Sequence, residues 1–321
     1  MRAVRVHAFG GPEQLRLEDV PVPEPGAGQV LVRVAAAGVN PIDAILRRGE
    51  RPGLALPLGL GGEAAGTVER VGPGVTAFQP GQAVFGAAIG GGYAEYALLD
   101  AARTLPVPEG VDRVAAGGLA IVLRTAWHGV VTLGGLRPGE WLLVHGAGGG
   151  VGSLAVQVGA ALGGRVIATG RDPRKLDAAR GLGATAVVDY SQPDWPAEVR
   201  RLSGGGVNVV ADGVGASTFA GTLQCLALDA RWAVYGAIGG GDVAVDLWAL
   251  VAKCVTLTAY STNVAGRMAE TQRDLAERAL PLFRVGKLRA PATQRMALAD
   301  AAAAHERLAS RDVVGRLVLV P

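Results

Sequence analysis

The chain opens on alternating polar and apolar positions, Arg2-Ala3-Val4-Arg5-Val6-His7, and two more short β-rich runs follow at 30–34 and 66–71. Proline and glycine clusters at 21–28, 72–74 and 79–82 bound these runs, as turn residues do between strands. The first 110 residues therefore predict a β-dominated domain. From about 113 the period changes. An Ala/Leu-rich stretch without proline at 114–131 predicts a helix, and a regular alternation follows it. Strands are predicted at 141–145, 165–169, 186–189, 207–212 and 231–235, with helices at 150–162, 173–182, 197–202 and 216–226. Strand, helix, strand at this rhythm requires parallel crossovers, hence an α/β, doubly wound sheet. A further strand at 255–260 precedes a second helical region, and the apolar run 317–320 is expected to return to the β-rich domain. The predicted division places 1–120 and 265–321 in the β-rich domain and 121–264 in the doubly wound one.

Length agrees with two domains: 321 residues at roughly 150 per domain need neither a metal nor disulfide staples to hold a core. Lys+Arg 31 against Asp+Glu 28 leaves a net charge of only +3, too small and too dispersed to imply nucleic-acid binding. A hydrophobic content of 50% excludes a disordered chain. Glycine reaches 49 where average usage would give roughly 22, yet no three-residue period accompanies it, so a collagen-like chain is excluded. Only Lys175, Lys253 and Lys287 are lysines, so a lysine at a motif position carries weight. Cys225 and Cys254 form no CxxC, and both are expected as buried free thiols. The first residues lack the apolar core of a signal peptide. The uncharged stretch 141–164 is broken by glycines and reads as strand, turn and helix, not as a membrane span. A cytoplasmic protein is expected.

The chemistry concentrates at Val144-His145-Gly146-Ala147-Gly148-Gly149-Gly150-Val151-Gly152, entered by an apolar strand and left by an amphipathic helix. Glycines there permit a tight turn and bring backbone N–H groups to a pyrophosphate at the positive end of the helix. Strict G-x-G-x-x-G is not present: Ala147-x-Gly149-x-x-Gly152 fits the spacing with alanine in the first slot, and Gly146-x-x-Gly149-x-x-Gly152 fits a variant of the dinucleotide fingerprint. After the second strand, Gly170 stands where an acid would meet a free ribose 2′-hydroxyl, and Arg171, Arg174 and Lys175 follow. Guanidinium groups suit a 2′-phosphate. Asp172 has two readings: the N-cap of a helix with Pro173 at its first position, or a ribose contact. The balance favours NADPH.

Several motifs in order carry a resemblance that runs nearly end to end. They are Ala36-Ala37-Gly38-Val39-Asn40-Pro41-Ile42-Asp43, Gly62-Glu63-Ala64-Ala65-Gly66-Thr67-Val68, Gly91-Gly92-Tyr93-Ala94-Glu95-Tyr96, the glycine turn, Gly183-Ala184 and Asp189-Tyr190. The sequence resembles the zinc-free quinone oxidoreductase (zeta-crystallin-like) branch of the medium-chain dehydrogenase/reductase superfamily. The resemblance implies a Rossmann cofactor domain and a β-rich GroES-like catalytic domain. The zinc enzymes of the superfamily have Cys where this chain has Asn40 and His where it has Gly62; their four-cysteine lobe is also absent. His7, His128, His145 and His305 show no ligand spacing, so no zinc is expected. Without a Lewis acid, hydride transfer in the interdomain cleft requires an acceptor that is already electrophilic: a quinone, or an alkene conjugated to a carbonyl.

The resemblance also assigns roles. Asn40 is expected to face nicotinamide and substrate, its amide donating to the acceptor oxygen; its other reading is a turn residue before Pro41. Asp43 is expected to be structural. Thr125 matches a position near the nicotinamide, and Gly149, Gly150 and Val151 match pyrophosphate contacts. Lys175 and Tyr190, with Arg171, match the adenosine-phosphate site. The segment 236–241, with Gly236 and Ile238, is expected to border the nicotinamide. Arg311 matches a cofactor contact, its other reading being an exposed charge. No ring stands near Arg51 or Pro52, where relatives often carry an aromatic. The leading expectation is an NADPH-dependent quinone reductase. A reductase of α,β-unsaturated aldehydes or ketones is the alternative, for which Tyr93 or Tyr260 would supply a proton. A non-catalytic NADPH-binding protein, RNA-binding or crystallin-like, is the third. A homodimer through sheet edges is expected.

Overall fold

The computed structural model describes residues 1–261 and 266–321. It comprises two compact units, Met1–Ile121 with Ala290–Pro321, and Val122–Arg289.

The first unit begins with β1 (Arg2–Val6), β2 (Leu15–Asp19) and β3 (Gln29–Gly38), then helix α1 (Pro41–Arg47) and β4 (Leu58–Gly59). It continues through β5 (Glu63–Val71), β6 (Ala83–Ile89), β7 (Tyr96–Pro106) and the short α2 (Arg113–Ala116). β3 pairs antiparallel with both β5 and β7, and β6 joins those two, so the four strands close on themselves. Val30, Val32, Val34, Val68, Val84 and Leu99 fill their common core. Helix α1 starts where Pro41 presets the backbone and the Asp43 carboxylate accepts from the Asn40 amide.

The second unit starts within α3 (Ala120–Trp127). There follow β8 (Trp141–His145), α4 (Gly150–Ala161), β9 (Arg165–Gly170), α5 (Pro173–Gly181), β10 (Ala186–Asp189) and α6 (Trp195–Ser203). Next come β11 (Val207–Asp212), α7 (Ala216–Gln224), β12 (Leu226–Val234), α8 (Leu247–Val251), β13 (Thr256–Ala259), α9 (Met268–Asp274) and α10 (Leu280–Arg284). All six strands are parallel, in the order β10-β9-β8-β11-β12-β13. Their central members are apolar on both faces, as strands covered by helices on both sides must be: Leu142, Leu143, Val166, Ile167, Val209 and Val210 are all buried. The winding reverses between β8 and β11, and ligands of such sheets bind outside the carboxyl ends at that point. This is the doubly wound Rossmann arrangement.

The chain then returns to the first unit as β14 (Thr293–Ala297), α11 (Ala301–Ala309) and β15 (Arg316–Val320). β15 pairs with β14 and, antiparallel, with β3, so the apolar terminal run does return to the β-rich unit.

Some expectations need correction. The helix expected at 114–131 is split: the amides of Gly117, Gly118 and Leu119 each donate to the carbonyl three residues back, so the chain tightens into turns between α2 and α3 where Gly117 packs closely on Ala36 of β3. Its last part, His128–Leu133, widens into π-type turns. Cys225 is buried as expected, but Cys254 is exposed, in a left-handed conformation (φ 51) that closes the turn after α8. The expected boundary at 264/265 lies outside the described residues. Beyond it, α9, α10 and the chain up to Arg289 belong to the second unit: Thr271 bonds His128 at 2.7 Å, and Gln157 accepts from the Arg289 amide at 2.7 Å. Among the described residues no helix is long and apolar enough to cross a membrane.

Candidate active site

In the second unit the turn after β8 is made almost entirely of backbone. Gly146 takes a left-handed conformation (φ 67), and its carbonyl accepts from Gly149. A Cβ on Gly152 would lie 2.3 Å from the Gly146 oxygen, so the first turn of α4 folds directly over the loop. Gly149 is the N-cap of α4, with no side-chain cap bond and no acidic residue in the first turn. The amides at Gly150 and Val151 therefore stand at the positive end of a twelve-residue helix whose N-cap residue has no side chain, while the Gly149 amide donates to the Gly146 carbonyl.

Beside it, Gly170 ends β9. Asp172 accepts from the Arg174 amide at 2.9 Å and pairs with its guanidinium at 2.7 Å. The cap reading of Asp172 is the one observed, and this hydrogen-bonded pair holds its carboxyl below the usual range. Arg171 lies over the Tyr190 ring, 5.8 Å from its centroid. The Lys175 stem lies against Gly148, where a Cβ would meet its Cβ at 2.3 Å. Glycine at 148 is thus needed to admit the lysine.

The same carboxyl edge carries two more loops. Asp212 ends β11 and accepts from the amides of Val214 and Gly215. The segment after β12 packs on that turn: the amides of Ile238 and Gly239 donate to the carbonyls of Gly213 and Val214, and Gly236 approaches the Gly213 oxygen. A Cβ on Gly146 would in turn meet Val214 at 3.6 Å. Thr125, buried in α3, accepts at its carbonyl from the Tyr260 hydroxyl at 2.7 Å.

The first unit has a separate cluster, made of side chains. Asn40 is buried, and its amide nitrogen donates to Glu63 Oε1 at 2.9 Å and, more weakly, to the Gly38 carbonyl at 3.3 Å. Its Oδ1 accepts from Arg316 Nη1 at 3.0 Å. Arg316 also donates to Glu63 Oε1 at 2.5 Å, while Glu63 Oε2 accepts from the Ile121 amide. Both charged members are buried, a pairing that water does not screen. The Asn40 amide, expected to donate to an acceptor oxygen, thus has partners for both its hydrogens within this unit, the second at long range. Asp43 is structural, accepting from the Asn40 amide, the Gly61 amide and the Tyr93 hydroxyl. Arg311 lies on the exposed turn after α11, with a left-handed backbone (φ 60).

Sequence reasoning missed Arg316 and gave Glu63 no role. One signal was available: an arginine heading an otherwise wholly apolar strand invites a buried partner. The two tyrosines considered as acids are both engaged, Tyr93 with Asp43 and Tyr260 with the Thr125 carbonyl, and burial raises both well above the ordinary tyrosine value. Among the described residues no group of three or more His, Cys, Asp or Glu could hold a metal.

Comparison with known proteins agrees with both halves. Residues 26–109 match the alcohol dehydrogenase GroES-like domain, and residues 150–282 match the zinc-binding dehydrogenase family. A quinone oxidoreductase of Pseudomonas aeruginosa is 36% identical over 100% of this chain and 99% of its own length. A 2-haloacrylate reductase of a Burkholderia species is 34% identical over 99% and 98%. The crystal structure of the Escherichia coli quinone oxidoreductase complexed with NADPH covers all of both chains, at 30% identity and a TM-score of 0.91. The chain is an oxidoreductase of the medium-chain dehydrogenase/reductase superfamily and belongs to its quinone oxidoreductase family.

Proposed function

We propose that the protein is an NADPH-dependent quinone reductase that works without zinc. The observation that carries the cofactor reading is the turn after β9. Gly170 stands in place of an acid, Asp172 is engaged as a helix cap, Arg171 lies over Tyr190 and the Lys175 stem lies against Gly148, an arrangement that supports a cationic pocket for a 2′-phosphate. The start of α4, at Gly149, Gly150 and Val151, where the cap residue has no side chain and the first turn no acid, suits the pyrophosphate. Thr125, Gly236 and Ile238 are assigned to the nicotinamide end, and Arg311 to a further cofactor contact. When bound, NADPH supplies the hydride.

The protein's part is orientation and one hydrogen bond. Arg316, donating to Asn40 Oδ1, polarises the amide and strengthens its N–H groups as donors. The hydrogen now reaching the Gly38 carbonyl at 3.3 Å is the one an acceptor oxygen would take over. The zinc enzymes' thiolate and imidazole positions are an amide and a glycine in this chain, which supports chemistry on an acceptor that needs no Lewis acid.

The likeness to a 2-haloacrylate reductase supports a second reading, reduction of an activated C=C bond. Against it stands the engagement of both tyrosine hydroxyls, since such a reduction needs a proton at carbon. Initial rates of NADPH oxidation with a simple 1,4-quinone and with an α,β-unsaturated aldehyde separate the two. Turnover with the quinone supports the first; turnover with the aldehyde alone replaces it with the second.

We also propose a homodimer. β13 is an edge strand of the six-stranded sheet, and Leu247, Trp248 and Val251 of α8 are exposed nearby in the chain, Trp248 at 79%. Light scattering should give twice the 32.6 kDa chain mass; the chain mass itself would refute it.

A further inference from the structure

Behind Asn40, four buried side chains of the first unit form one chain of hydrogen bonds. Arg47 Nη1 lies 3.0 Å from His305 Nδ1, His305 Nε2 lies 3.3 Å from the Tyr93 hydroxyl, and that hydroxyl donates to Asp43 Oδ2 at 3.0 Å. All four residues are at most 5% exposed. The polarity follows from one member. A guanidinium can only donate, so His305 Nδ1 must be bare and its single proton must sit on Nε2, aimed at Tyr93. Tyr93 then passes its own proton toward Asp43, and every donor in the chain points at that carboxylate.

Asp43 collects two backbone amides as well, Asn40 at 2.8 Å and Gly61 at 3.3 Å. The second stands two residues before Glu63. A Cβ on Gly61 would meet the Tyr93 ring at 2.5 Å, so this loop is pressed onto the chain of donors. Reversing the chain, with Asp43 protonated and donating to Tyr93, would require His305 to accept at both nitrogens at once. Arg47 forbids it.

We propose that Asp43 is a positioning residue: its carboxylate, held as an acceptor by the Arg47–His305–Tyr93 chain, fixes the amides of Asn40 and Gly61 and so orients Asn40 toward the acceptor. The proposal rests on the reading of Asn40 given above. Titration supports the geometry. Burial pushes Asp43 up to about 6 and His305 down to about 4, so the carboxylate and the neutral imidazole coexist at neutral pH. The charged and titratable groups facing them are Glu63 on β5, Arg316 on β15 acting through Tyr93, and Arg48 and Glu13 around Arg47. Below the Asp43 value a proton on either oxygen must displace one of the amides or the tyrosine.

The chain's three asparagines make the test direct. In an [15N]asparagine sample the Asn40 backbone amide, identified by its loss in Asn40→Ser, should titrate with a midpoint near 6. In Tyr93→Phe, which keeps the ring packing, the midpoint should rise. In Asp43→Asn the titration should vanish, and kcat should fall about tenfold with KM for NADPH within about twofold. An Asn40 amide indifferent to pH between about 5 and 7.5, or an acid limb of kcat that survives unchanged in Asp43→Asn, overturns the proposal. If Asn40→Ala keeps full kcat while the amide titrates as stated, the reading of Asn40 has failed and the fixing of its amide stands.

Discussion

The two candidate clusters, one in each unit, are made of different material. In the second unit, glycines and amides between Gly146 and Gly152 do the shaping, within seven consecutive residues. In the first, Asn40 meets Arg316 across 276 positions of sequence, and Arg47 meets His305 across 258. Backbone shapes the one, converging charged side chains the other. The difference predicts how each should break. A backbone-built site fails by steric intrusion, locally and at the level of binding. A buried charge cluster fails by leaving a charge without its partner, and the whole unit pays for it.

The largest effect is therefore expected at Glu63. Glu63→Ala leaves the buried Arg316 guanidinium unpaired and should lower unfolding stability by roughly 3–5 kcal/mol in urea titrations. A loss under about 1 kcal/mol would put the cluster on a par with a surface ion pair and erase the contrast. Next comes Gly152→Val, whose side chain would collide with the fixed Gly146 carbonyl. Stability should fall by about 1–3 kcal/mol, with cofactor affinity weakened at least about tenfold by fluorescence titration. Unchanged affinity would separate the turn from cofactor binding.

A subtler test uses pH. The His305 value is depressed in the folded state, so acidification from about 6.5 to 4 protonates the unfolded chain first and costs stability. The Asp43 value is raised, so over nearly the same window acidification protonates the folded chain first and restores stability. The two effects oppose each other in the wild type. In Asp43→Asn only the histidine effect remains, and stability should fall with acidification more steeply than in the wild type, by up to about 1.4 kcal/mol per pH unit. Equal slopes would show that the two groups do not titrate as their burial implies. The smallest effect belongs to Asp172→Ala: a slight loss of stability in urea titrations for the lost cap, with no change in the relative binding of NADPH and NADH.

The same contrast explains what could be read in advance. The strands 186–189 and 207–212, the glycine turn and the substitution of Gly170 for an acid are local patterns, and each stands where the spacing placed it. Asp172 was ambiguous because cap and ribose ligand ask for the same residue type; only the bond to the Arg174 amide separates them. Helix 114–131 failed because the Ala/Leu-rich pattern does not register the tightened turns at Gly117, Gly118 and Leu119. The Asn40–Glu63–Arg316 cluster was not legible as a unit, since no local rule links a motif near residue 63 to an arginine near the C-terminus. The Arg47–His305–Tyr93–Asp43 chain was hidden for the same reason, its members set apart by 258, 212 and 50 positions.

The cofactor proposal stands on a pocket for a 2′-phosphate at residues 170–175 and 190, with Asp172 withdrawn into a helix cap. Fluorescence titration of the protein with NADPH and with NADH, in the absence of any acceptor, tests it most directly. NADPH should bind at least about tenfold more tightly, a difference of about 1.4 kcal/mol. Equal affinities, or tighter binding of NADH, would contradict it.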